Sequence, residues 1–113
     1  MARRRFQERV AAFGGCLESL PIDAKGPQNI DLGIDIAWFG DKSAKKILLH
    51  SSGLHGVEGF AGSAIQLDLL HHLPKIPDDC AVVFVHILNP YGMAWLRRVN
   101  ESNVDLNRNF LPD

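Results

Sequence analysis

At 113 residues the chain holds one domain at most, large enough for a real core and too small for two. Its 46% hydrophobic and 22% charged residues describe a soluble globular protein, and a formal net charge of -1 removes any electrostatic case for nucleic acid or an anionic membrane as partner.

In chain order, the run Ala2-Arg3-Arg4-Arg5 is the only charge block. Phe6-Gln7-Glu8-Arg9-Val10 follows it with polar residues where a signal peptide needs an apolar stretch, so a solvated first helical turn is expected instead. Phe6, Val10, Phe13 and Leu17 fall about one per turn and predict an amphipathic helix over residues 3–20, weakened at Gly14-Gly15 and broken by Pro21. From Ile30 to Phe39 the residues alternate, with Ile30, Leu32, Ile34, Ile36 and Trp38 on one face, which predicts a half-buried strand ended by Gly40-Asp41. Lys46 to Ser52 is a more uniformly apolar run that fits an interior strand.

Val57, Ala61, Ala64, Ile65, Leu69 and Leu73 recur at helical spacing, with Pro74 as a stop. Ala81 to Leu88 is β-branched and continuously apolar, another central strand. Strand, helix and strand in that order make a βαβ unit with parallel pairing. Asn89-Pro90-Tyr91-Gly92 is expected to close it as a loop, with a helical turn near Ala94–Arg97. No stretch is long enough to span a bilayer. Cys16 and Cys80 form no C-x-x-C, which suits two idle thiols in a reducing cytoplasm.

The chemistry concentrates in two places. His55 and Glu58 form an H-x-x-E pair at a strand-to-helix turn, flanked by Gly53, Gly56 and Gly59. An imidazole and a carboxylate so spaced can share one zinc ion, although Glu58 would equally suit a helix's first turn with no metal present. Arg98 and the run Asp105-Leu106-Asn107-Arg108-Asn109-Phe110 form the second place, where guanidinium and amide donors can grip a carboxylate. In an open α/β sheet both belong to the rim at the strands' carboxyl ends. His50 and His86 read as strand residues, and His71-His72 as a helix end that favours a cation.

Three ordered blocks carry a resemblance: Gly53 to Ala64, Asn89 to Met93, and Arg98-Val99-Asn100 through Asp105 to Phe110. Together the chain resembles the N-terminal part of zinc carboxypeptidases of the M14 type, nearest their bacterial uncharacterised carboxypeptidase-like branch. The resemblance implies a partial three-layer α/β/α fold with a mostly parallel or mixed sheet. It makes residues 1–113 a single incomplete domain, truncated at the C-terminus. It implies His55 and Glu58 as zinc ligands and Arg98, ahead of Arg97, as the group that polarises the scissile carbonyl. Asn107 and Arg108 would bind the substrate's free α-carboxylate. The family's third ligand and its general-base glutamate have no match before Asp113, so the expected activity, removal of a C-terminal residue, should be absent from the isolated chain. Two rivals stand beside it: hydrolysis of N-acyl amino acids, as in the related aspartoacylase and succinylglutamate-desuccinylase type, and a non-catalytic binding or subunit-interaction module. An exposed sheet edge, open to self-association, is a further expectation.

Overall fold

The computed structural model describes residues 1–109, and Phe110, the last residue of the third block, lies outside them. The first helix, α1 (Ala2–Ala12), buries Phe6 and Val10, one turn apart on a single face. It ends sooner than its apolar spacing predicts. Gly14 adopts a left-handed φ of 72°, which glycine reaches without steric cost, and the Gly15 N–H closes onto the Val10 carbonyl at 3.0 Å. The chain then runs extended as β1 (Cys16–Lys25), a strand in place of the predicted second half of a helix. Pro21 is tolerated there because β1 is an edge strand.

Next come β2 (Asp31–Gly40), β3 (Lys46–Ser51), α2 (Gly59–His71), β4 (Cys80–His86) and a short α3 (Pro90–Ala94). The four strands form one mixed sheet in the order β1-β2-β4-β3. The pairs β1–β2 and β2–β4 are antiparallel, while β3 and β4 are parallel and joined through α2, the expected βαβ unit. The α/β class is therefore as the patterns predict. The Asn89 loop and the helical turn expected at Ala94–Arg97 are replaced by α3, which begins with Pro90 at its first turn, where a missing N–H costs nothing.

One face of the sheet is covered by α1 and α2. Ala37 pairs with Phe84 and Phe39 with Val82 across β2 and β4, and Phe6, Val10 and Leu70 close over them as the core. The covered face of β2 is thus the one bearing Asp35, Ala37 and Phe39, whereas Ile34, Ile36 and Trp38 face the other way and are only partly buried. On that second face Ile47 and Leu49 of β3 are 53% and 61% exposed, so β3 is an edge strand and not the interior strand its apolar run predicts; apolarity alone does not say how many neighbours a strand has. Among the described residues no helix is long and apolar enough to cross a membrane.

Two polar groups lie deep under α1. Asp35 is fully buried, yet Arg3 donates Nε to Oδ2 at 2.8 Å and Nη2 to Oδ1 at 2.9 Å. Gln7 and Ser19 supply further donors. Burial opposes the charge, but these donors outweigh it and hold the carboxyl below its usual range. His86, the cross-strand partner of Asp35, stacks on Phe6 at 4.4 Å and shares a hydrogen bond with the Ser63 hydroxyl at 2.9 Å.

Burial pushes His86 down to about 4. The unfolded chain then takes up a proton near pH 6.5 that the folded chain refuses until about 4. Stability is fully present above pH 6.5 and is lost as pH falls towards 4, by about 3 kcal/mol from this one group. Urea midpoints between pH 7 and 4 should fall accordingly, and a His86→Gln variant should show a flatter dependence over the same window.

Candidate active site

Beyond their carboxyl ends, β3 and β4 continue to exchange hydrogen bonds. Ser52 N–H donates to Val85 O at 3.1 Å, Leu88 N–H to Ser52 O at 2.9 Å, and Asn89 N–H to Gly53 O at 2.9 Å. Gln66, fully buried on α2, reinforces the same corner. Its amide donates to Val85 O at 3.0 Å and to His50 O at 3.2 Å, while its oxygen accepts from the Ser52 hydroxyl at 2.9 Å. The turn that carries His55 therefore leaves the sheet from a fully bonded base.

That turn is a short 3₁₀ segment, Gly56–Glu58, which runs directly into α2. It lies back to back with α3: a Cβ on Gly56 would overlap the Gly92 carbonyl carbon and the Met93 nitrogen. Close contact lets Val57 N–H reach Arg97 O at 3.0 Å and Gly56 N–H reach Arg98 O at 3.4 Å. The Arg97–Arg98 backbone is thereby pinned beside the His55 turn.

From Arg98 the chain turns back on itself. Asn100 Oδ1 accepts from the backbone N–H groups of Ser102 and Val104, at 3.1 and 2.9 Å, and the reversal brings Asp105 beside Arg98. Asp105 is the centre of the site. Its Oδ1 accepts from His55 Nε2 at 2.9 Å and from Asn107 N–H at 3.0 Å, and its Oδ2 accepts from Arg98 Nε at 2.9 Å. Arg108 Nε approaches Oδ2 to 3.8 Å. Arg98 foremost, with His55 and the Asn107 N–H assisting, holds the Asp105 carboxyl down to about 2.

An ionised Asp105 only accepts, so in the neutral His55 ring the proton sits on Nε2 and the Nδ1 lone pair is free. Nδ1 faces Glu58 Oε2 at 3.4 Å. His55 is mostly buried, whereas the Glu58 side chain is 67% exposed.

All five residues singled out from the sequence lie around this centre, with different degrees of engagement. His55, Glu58 and Arg98 converge through their side chains. Asn107 joins through its backbone N–H, and Arg108 extends outward with its side chain 77% exposed. Arg97, the rival for the Arg98 role, turns away to Asn103 Oδ1 at 2.9 Å. The residue given no role in advance is Asp105. The available signal was that a metal-ligating histidine nearly always gives its second nitrogen to a carboxylate or carbonyl, and Asp105 opens the polar run Asp105 to Phe110 within the third block. Among the described residues, no three of His, Cys, Asp and Glu cluster as a metal site.

The back-to-back contact of the two turns makes Gly56 intolerant of any side chain. Gly56→Ala should destabilise the fold by about 1–3 kcal/mol, since the atoms it meets are backbone and cannot swing aside. Denaturant unfolding checks this.

Solved structures with this architecture include three glutaminyl cyclases. The one from Porphyromonas gingivalis is 14% identical, with a TM-score of 0.54 over 79% of this chain and 36% of its own. That from Macrostomum lignano is 17% identical, with a TM-score of 0.53 over 76% and 30%. That from Fimbriiglobus ruber is 19% identical, with a TM-score of 0.51 over 78% and 38%. At such identities the likeness is one of fold, and the chain spans about a third of each neighbour's length. A comparison with curated proteins finds no match. One family model matches residues 1–113, and the chain belongs to that family, described as protein of unknown function DUF2817.

Proposed function

We propose that this chain carries part of the active site of a zinc-dependent, carboxypeptidase-like hydrolase acting on amide bonds beside a free carboxylate. One observation carries the reading: His55 Nδ1, which bears the lone pair when the ring is neutral, and a Glu58 carboxylate oxygen face each other at 3.4 Å, with the ring's other nitrogen held by Asp105. Two electron-rich atoms so placed are favourable neighbours when a cation lies between them. Ligands of a tetrahedral zinc ion, with bonds of about 2.0–2.2 Å, stand about 3.3–3.5 Å apart, so the pair fits. His55 and Glu58 would hold the ion, which when bound supplies Lewis-acid activation of water and of the carbonyl.

The remaining residues have roles that need no metal geometry. Asp105 fixes the His55 ring and fastens Arg98 by its Nε, which leaves the outer end of the guanidinium for negative charge developing on the carbonyl oxygen. Arg108 and Asn107, exposed beside it, suit the carboxylate of the substrate. The unpaired thiols of Cys16 and Cys80 fit a reducing compartment, and cytoplasmic action is part of this proposal.

Zinc titration of the 113-residue chain, by competition with a chromophoric chelator, tests the metal. Binding in the micromolar range or tighter should be weakened at least about tenfold by His55→Ala. A folded chain that binds no zinc sinks the reading. For the clamp, a dipeptide with a free C-terminal carboxylate should shift the Arg98 and Arg108 side-chain resonances, and its C-terminal amide should not. N-acyl amino acids and a peptide with N-terminal glutamine, offered in parallel, separate this reading from the aspartoacylase type and from the named activity of the fold neighbours.

A further inference from the structure

We propose that Asn89 is a positioning residue: its side-chain amide sets the segment bearing Arg98 and Asp105 in register with the turn bearing His55 and Glu58. The inference rests on the preceding reading for the roles of those four side chains and adds what holds them together.

Asn89 is 2% exposed and stands where β4 gives way to α3. Its polar groups divide between the two halves of the site. The backbone N–H donates to Gly53 O at 2.9 Å, on the approach to His55. The side-chain Nδ2 donates to Arg98 O at 3.3 Å, and Oδ1 accepts from Gly92 N–H at 2.8 Å. The Arg98 carbonyl also accepts from Gly56 N–H, so it is held from both sides by donors belonging to different elements.

Helix capping alone does not explain an asparagine here. Asp and Ser cap as well as Asn, because capping uses only an acceptor oxygen. The amide nitrogen is the part that capping leaves over, and it is spent on Arg98. Among residues of this size, only asparagine offers an acceptor to Gly92 and a donor to Arg98 from one planar group. Gly92 belongs to the same device: a Cβ there would press on Asn89 Nδ2 and on the carbonyl oxygens of Arg97 and Val99.

The test compares the whole chain with its Asn89→Asp and Asn89→Ser variants by nuclear magnetic resonance at pH 7. Both variants keep a cap oxygen; the aspartate has no donor, and the serine hydroxyl, one bond shorter than the amide, stops short of the Nδ2 position from which Arg98 O is reached. The expected result is an unchanged backbone amide spectrum in β1, β2 and β4, together with loss of the solvent-protected His55 Nε2–H signal that the Asp105 contact produces. Zinc affinity should fall about tenfold. A folded variant that retains both the His55 signal and the affinity overturns the proposal. Should the parent chain bind no zinc, the hydrolase reading falls while the His55 signal still decides the role of Asn89. If neither variant folds, hydrogen exchange of the Asn89 amide in the parent chain decides it: protection beyond that of exposed amides supports the clamp, and free exchange overturns it.

Discussion

A single ionised carboxylate, that of Asp105, joins two stretches of chain that are 50 residues apart at their point of contact. One oxygen takes the His55 ring and the other takes the Arg98 guanidinium, so neither can be reoriented without disturbing the other. Because its donors keep it ionised, Asp105 acts only as an acceptor near neutral pH. That one-sidedness fixes which imidazole nitrogen bears the proton, and hence which is left to face Glu58. The chemistry proposed for the rim follows from this bond more than from either half of the site alone.

The same physics operates a second time, at the level of the fold. Asp35 lies at the centre of the covered sheet face and stays charged because Arg3, Gln7 and Ser19 all donate to it. A buried carboxylate without such partners would be driven to its neutral form or out of the core. Under α1 the charge locks helix to sheet; at the rim it locks turn to turn. Between the two, Gln66 ties α2 to the ends of β3 and β4, so the site is built on bonded backbone.

Much of this architecture was legible because it rests on local periodicity. The alternation of β2, the apolar run of β4 and the helical spacing of α2 each predict an element that formed. The residues so spaced at α2 nevertheless lie on its outer side: Val57, Ile65 and Leu69 are exposed, while Gly59, Ser63, Gln66 and Leu70 are buried. The first strand was hidden by coincidence: Leu17 continues the one-per-turn spacing of Phe6, Val10 and Phe13, although Gly14 turns the chain before it. Pro90 read as the end of a strand, yet after Asn89 it serves equally as the start of a helix. Alternation also identified two faces of β2 without saying which is covered, and a buried Asp35 is an unusual occupant of the inner one. Of the site, the residue types were legible and their separations were not. That Asp105 would meet His55, or that Asn89 would reach Arg98, depends on how two glycines allow distant turns to touch.

The tether between Arg3 and Asp35 has a bearing on how shortened versions of this protein would behave. A polypeptide started beyond Ala12 would lose Arg3 and Gln7 together and leave Asp35 with only the Ser19 hydroxyl, on a sheet face no longer covered by α1. It would also uncover Phe84 and Ala37 where Phe6 and Val10 now lie. The opening dozen residues, far in sequence from every group on the rim where the site is proposed, are thus as indispensable to it as the strands themselves.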